Sequence, residues 1–199
     1  MYKYLTITFS ITGWLFSLLS LLLYLKERKK NKTILWRDIP VATNSLVEKM
    51  KKDFNPDIIF IPNEKGGIMV NYLKKSLTNY VVCIFGVGIP KKRTDLNNVF
   101  FVEDDFYSFS TLKWYAYIPK CIEDYKDKKI LILDDFAMSG DFLYSLKEIL
   151  INDLGFSKSN IRTMCLATTL NAKDNSKAPD YYWKIFDTTK VYLPWGKPE

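Results

Sequence analysis

Along the chain, apolar positions fall into blocks of three kinds. The first is a run of 22 residues without a charge, Tyr4 to Leu25, followed at once by Lys26-Glu-Arg-Lys-Lys-Asn-Lys32. The second kind is short and wholly apolar: Asp57-Ile-Ile-Phe-Ile-Pro62, Tyr80 to Phe85 and, above all, Lys129-Ile-Leu-Ile-Leu133 and Ile161 to Thr168. Blocks of this length, rich in β-branched residues, predict strands buried on both faces. The third kind carries helical spacing: Ser45 to Phe54, the stretch from Gly67 to about Leu77, and Gly140 to Leu154, with Phe142, Leu143, Leu146, Ile149 and Leu150 on one stripe. Val99 to Val102, Trp114 to Ile118, Tyr181 to Phe186 and Val191 to Trp195 read as further β-rich segments, and residues 171 to 180 read as a polar loop. Strands alternating with helices predict an α/β fold, a mainly parallel sheet with helices on both faces.

The first block admits two readings, a core helix or a membrane anchor. At 1.5 Å per residue a helix of this length spans about 33 Å, enough for a hydrocarbon layer of about 30 Å. The charges follow the apolar run and no small-residue cleavage pattern ends it, unlike a secretory signal. The expectation is therefore one transmembrane helix over residues 4–25. Residues 1–3 would lie outside, 26–33 would form a basic juxtamembrane linker, and 34–199 would form a soluble domain in the cytoplasm. The protein would then be single-pass in the inner (cytoplasmic) membrane.

Charge changes the picture in one respect. The net charge of the 199 residues is +7, but residues 1 to 32 hold six bases and one acid, and the remainder holds 23 bases and 21 acids. The body is nearly neutral, so no specific nucleic-acid binding is expected. There is no histidine, which excludes a histidine triad, general base or metal ligand. The three cysteines, Cys83, Cys121 and Cys165, are too scattered for a zinc site or a disulfide framework.

Candidate chemistry concentrates at Ile130-Leu-Ile-Leu-Asp134-Asp135-Phe-Ala-Met-Ser139-Gly140-Asp141. A buried strand delivers two adjacent carboxylates at its carboxyl end, where ligands of open α/β sheets bind. A small-residue turn then opens a helix whose free N–H groups favour an anion. A phosphorylated sugar suits this arrangement: carboxylates take ribose hydroxyls, or Mg²⁺ bridging to a diphosphate. A plain strand-to-helix turn with an Asp cap and no ligand is the alternative.

This stretch resembles the phosphoribosyl-diphosphate signature of type I phosphoribosyltransferases. Pro56-Asp-Ile-Ile-Phe-Ile-Pro-Asn-Glu-Lys65-Gly66-Gly67-Ile resembles that family's first-strand motif, Trp36-Arg-Asp-Ile39 its lead-in in purine-using members, and Val191-Tyr-Leu-Pro194-Trp195 the tail of xanthine–guanine-type enzymes, part of a small hood over the base. The resemblance implies that Lys65, Gly66 and Gly67 form the diphosphate loop and that Asp134 and Asp135 bind ribose hydroxyls and Mg²⁺. Phe136, Ala137, Met138, Ser139, Gly140 and Asp141 would cradle the 5′-phosphate. It places a flexible loop between about Gly88 and Trp114, with Lys91, Lys92 and Arg93 within reach of a diphosphate. The partner would be phosphoribosyl diphosphate or a nucleotide, and the chain could form a homo-oligomer or a larger assembly. Departures stand beside these matches: Met138 and Phe142 replace hydroxyl or acidic groups, Asp141 adds a negative charge near the phosphate, and Thr168-Thr169 stand where purine enzymes carry a lysine. Two functions follow. One is a phosphoribosyltransferase with a degenerate phosphate loop, acting on a nucleobase-type partner. The alternative is a non-catalytic module on the same fold that senses a nucleotide or sugar phosphate, or serves as an effector in a defence system.

Overall fold

The computed structural model describes residues 14, 16–25, 33–77, 81–92 and 103–196. Five strands form the main sheet: β1 (Ile58–Ile61), β2 (Val82–Phe85), β6 (Ile130–Ala137), β7 (Ile161–Thr169) and β8 (Tyr181–Phe186), in the order β2-β1-β6-β7-β8, every neighbouring pair parallel. The second, antiparallel sheet has the order β3-β5-β4, from β3 (Val87–Pro90), β4 (Phe106–Ser110) and β5 (Trp114–Pro119). Helices α1 (Ile39–Met50) and α2 (Glu64–Ser76) cover one face of the main sheet, and α3 (Asp141–Glu148), extended by a π-helical turn at Ile149–Asp153, covers the other.

The two faces explain why the strands read as unbroken apolar runs. Ile59, Ile61, Leu131 and Leu133 enter one core with α1 and α2, while Ile58, Phe60, Ile130 and Ile132 enter another with α3 and the small sheet. Alternate residues point to opposite faces, and both faces are dry. The central strands β1, β6 and β7 thus match expectation, and β6 runs four residues further, carrying Asp134 to Ala137 within the sheet.

Elsewhere the boundaries move. α1 begins at Ile39, six residues before its expected start, because Pro40 occupies the first turn, where its missing N–H costs nothing. Residues 171 to 180 are not wholly a loop: Thr169 accepts a hydrogen bond from the Ala172 amide and starts the short helix α4 (Leu170–Asp174). The expected strand at Val191 to Trp195 joins neither sheet; it makes a single parallel bridge from Tyr192 to Thr33. Val99 to Val102 lie outside the described residues.

The anchor expectation is corrected. Among the described residues no helix is long and apolar enough to cross a membrane. The described helical residues here are Trp14 and residues 16–25. The single-pass placement with a cytoplasmic domain falls with the anchor. Residues 1–13 and the basic 26–32 segment lie outside the described residues.

Candidate active site

The carboxyl ends of β1 and β6 open onto a cavity of about 370 Å³. Its floor is Asp134 and Asp135. The walls come from Asn63 to Lys65, the β3 segment Gly86 to Ile89, the β4–β5 turn with Lys113 and Trp114, and the segment Phe136 to Leu143.

Both carboxylates are almost fully enclosed, 5% and 4% exposed. Asn63 donates from Nδ2 to Asp134 Oδ1 at 2.7 Å, and the Asp135 amide donates to the same oxygen at 2.8 Å. Asn63 also accepts the Gly66 amide on Oδ1 at 3.0 Å. One side chain therefore starts α2 and fixes Asp134. Trp195 donates from Nε1 to Asp135 Oδ2 at 2.7 Å. Burial beside Asp135 pushes Asp134 up to about 8. Burial raises Asp135 too, held back by the Trp195 hydrogen bond and the Lys65 ammonium. Two adjacent carboxyl groups in a low-dielectric site cannot both ionise cheaply.

Lys65, Gly66 and Gly67 stand in the first turn of α2 rather than in a separate loop. Gly66 is there because nothing larger fits: a Cβ would stand 2.6 Å from the Leu133 carbonyl oxygen. Its absence lets α2 approach β6 closely enough for Asn63 to reach Asp134.

After β6 the chain turns through Met138, Ser139 and Gly140 into α3. Gly140 has φ +74°, and a Cβ on it would stand 1.9 Å from the Lys177 carbonyl oxygen, so a glycine is required twice over. Thr169 donates to the Met138 carbonyl at 2.6 Å and Thr168 to the Ala137 carbonyl at 3.0 Å, tying the turn to β7. Thr168 and Thr169 thus have a structural task. Asp141 is paired on both of its oxygens. Its Oδ2 accepts from Ser139 Oγ at 2.7 Å and its Oδ1 from Lys177 Nζ at 2.6 Å. Lys177 and Ser139 hold this carboxyl below its ordinary range. Phe142 lies against Trp114, ring centroids 5.2 Å apart, closing the cavity's apolar side.

Of the residues singled out in the sequence, Lys65, Asp134, Asp135 and Phe136 to Asp141 all line the cavity. Lys91 and Lys92 are exposed and line no part of it, and Arg93 lies outside the described residues. Asn63, Lys113 and Lys177 were missed. Asn63 carries a readable signal, an Asn immediately before a helix; Lys113 and Lys177 arrive by tertiary folding alone.

Mg²⁺ can be tested against this donor set. Among the described residues no group of three His, Cys, Asp or Glu side chains could hold a metal. A pair of carboxylates facing a cavity still fits Mg²⁺, which takes one or two carboxylates and completes its shell with water and substrate phosphate.

No protein-family model matches the chain, and no curated protein matches it. Solved structures do. A purine phosphoribosyltransferase from Pyrococcus horikoshii OT3 is 22% identical, with a TM-score of 0.55 over 84% of this chain and 94% of that one. A xanthine-guanine-hypoxanthine phosphoribosyltransferase of Helicobacter pylori is 15% identical, TM-score 0.55, over 82% and 92%. A hypothetical protein of Neisseria gonorrhoeae with bound ppGpp is 17% identical, TM-score 0.55, over 82% and 89%. The chain from its first buried strand to its tail has the fold of the type I phosphoribosyltransferases.

Proposed function

We propose that the cavity binds phosphoribosyl diphosphate, or a nucleotide with the same phosphoribosyl group, and transfers that group to, or removes it from, a nucleobase-type partner. The buried Asp134-Asp135 pair at the end of the central strand is the observation that carries this reading. In the transfer, the bond from C1′ to the diphosphate oxygen breaks, the electron pair leaves with diphosphate, a bond from C1′ to the base nitrogen forms, and the proton of that nitrogen passes to the departing diphosphate or to water. Positive charge develops on the ribose, so rate comes from electrostatics and positioning.

Asp134 and Asp135 accept hydrogen bonds from the ribose 2′- and 3′-hydroxyls. Asn63 and Trp195 orient them, which removes the cost of arranging the carboxylates during the reaction. Lys65 lies on the leaving-group side, close enough to Asp135 to act on its ionisation. The backbone N–H groups at the start of α3 lie on the side of the 5′-phosphate. Asp134 and Asp135 are the residues that would hold Mg²⁺, which when bound neutralises diphosphate charge.

Met138 in the cavity wall supports a second reading. A thioether can neither take nor give a proton at neutral pH, so the site lacks an acid there, and a nucleotide-sensing module on the same fold is the competing function. The ppGpp-bound neighbour lends it weight. Release of diphosphate from phosphoribosyl diphosphate, measured against a panel of bases, separates the two. Turnover abolished in Asp134→Asn/Asp135→Asn supports transfer. Tight binding without turnover supports sensing. Neither binding nor turnover sinks both.

A further inference from the structure

The turn before α3 is not an open phosphate cradle. Its one hydroxyl donor, Ser139 Oγ, is committed to Asp141 Oδ2 at 2.7 Å. The other oxygen of that carboxylate holds the Lys177 ammonium at 2.6 Å. Lys113, on the β4–β5 turn, acts on the same carboxylate from the cavity's far wall. A carboxylate thus occupies the place a phosphate would take, with the hydroxyl and the ammonium a phosphate would want.

We propose that Lys177 is the phosphate-binding cation of this site, with Asp141 as its place-holder, an assignment that rests on the cavity being a phosphoribosyl site. An arriving 5′-phosphate takes over the Lys177 ammonium and the Ser139 hydroxyl, and Asp141 is displaced toward solvent.

Three features fit this exchange. The Lys177 backbone is fixed: its amide donates to the Ala172 carbonyl at 2.8 Å, and its carbonyl stands over Gly140. Only the four-carbon side chain needs to move. The ion pair is partly open to water, with side chains 37% and 25% exposed, so it is weak enough to exchange. Finally, a phosphate carries about −1.5 to −2 near pH 7, and beside Asp141 it would be repelled unless a cation compensates. Lys177 is the nearest one, its ammonium already 2.6 Å from the Asp141 carboxylate.

Calorimetric titration with ribose 5-phosphate and, separately, with ribose tests the assignment on the full chain. Lys177→Met should weaken ribose 5-phosphate about tenfold or more and leave ribose unchanged. Asp141→Asn should tighten ribose 5-phosphate several-fold, and the double variant should return to near the wild-type value. Equal weakening of both ligands in Lys177→Met, or no change in either, overturns the assignment while leaving the phosphoribosyl reading standing. Should Lys177→Met not fold, Asp141→Asn decides: unchanged or weaker ribose 5-phosphate binding overturns it. Wild-type protein that prefers ribose, or binds neither, overturns the phosphoribosyl reading and the assignment together.

Discussion

Trp195 donates from its indole nitrogen to Asp135 across 60 residues of sequence, at 2.7 Å. The same ring meets Trp36 edge-on, centroids 5.7 Å apart. The tail is thereby joined to the floor of the cavity and to the segment before α1. A hydrogen bond to a charged acceptor contributes about 1.5–3 kcal/mol. Trp195→Phe should lower unfolding free energy by about that amount in urea titrations above the range where Asp135 ionises. In a double-mutant cycle with Asp135→Asn the two losses should fall short of additive by about 1 kcal/mol or more. Strict additivity would remove the bond from the account.

Close approach at Gly66 makes a sharper claim about packing. Gly66→Ala places a methyl 2.6 Å from the Leu133 carbonyl, a backbone atom, whereas Gly67→Ala meets only the edge of the Phe85 ring at 3.2 Å. The first should cost about 2 kcal/mol or more, as overpacking does, and the second clearly less. Urea midpoints of the two variants read this directly; equal effects would mean that α2 is not seated against β6 as described.

The carboxylate pair gives a pH dependence of unusual sign. Asp134 is raised to about 8 in the folded chain, far above its unfolded value near 3.9. Between those values the folded state binds a proton that the unfolded state does not. Its contribution to stability is therefore complete below pH 4 and is lost as pH rises toward 8. The metal-free protein should lose on the order of 4 kcal/mol between pH 5 and 8, and Asp134→Asn should flatten that slope. Melting temperatures across this range, with chelator present, check it. A wild-type slope equal to that of the variant would contradict it.

Thr169 offers a test of the turn itself. Its hydroxyl donates to the Met138 carbonyl and accepts the Ala172 amide. Thr169→Val leaves both buried groups unsatisfied and should cost about 1–3 kcal/mol. Hydrogen exchange at Ser139 and Gly140 should quicken with it; protection unchanged in both would show the turn is held by something else.

The legible parts of this protein are those set by local chemistry. β1, β6 and β7 were readable because burial on both faces leaves only apolar residues, and Asp134-Asp135 stood out as charges at the end of such a run. Ser139, Gly140 and Asp141 followed from the turn. What could not be read depends on approach in space: Lys177 reaches Asp141 across 36 residues, and Lys113 enters the cavity only because β4 and β5 pair. Lys91, Lys92 and Arg93 were named instead, from the loop that the resemblance places between about Gly88 and Trp114. The anchor expected over residues 4–25 rested on the absence of charge along a run, and among the described residues no helix is long and apolar enough to cross a membrane.

The central claim is that Asp134 and Asp135 grip a phosphoribosyl group. Calorimetric titration of phosphoribosyl diphosphate with Mg²⁺ into the wild type and into Asp134→Asn/Asp135→Asn, with melting temperatures confirming that both fold, tests it most directly. The account predicts saturable binding by the wild type, weakened about 100-fold or more in the variant, the equivalent of one lost charge-assisted hydrogen bond. Absence of binding in the wild type, or equal affinity in the two proteins, would contradict it.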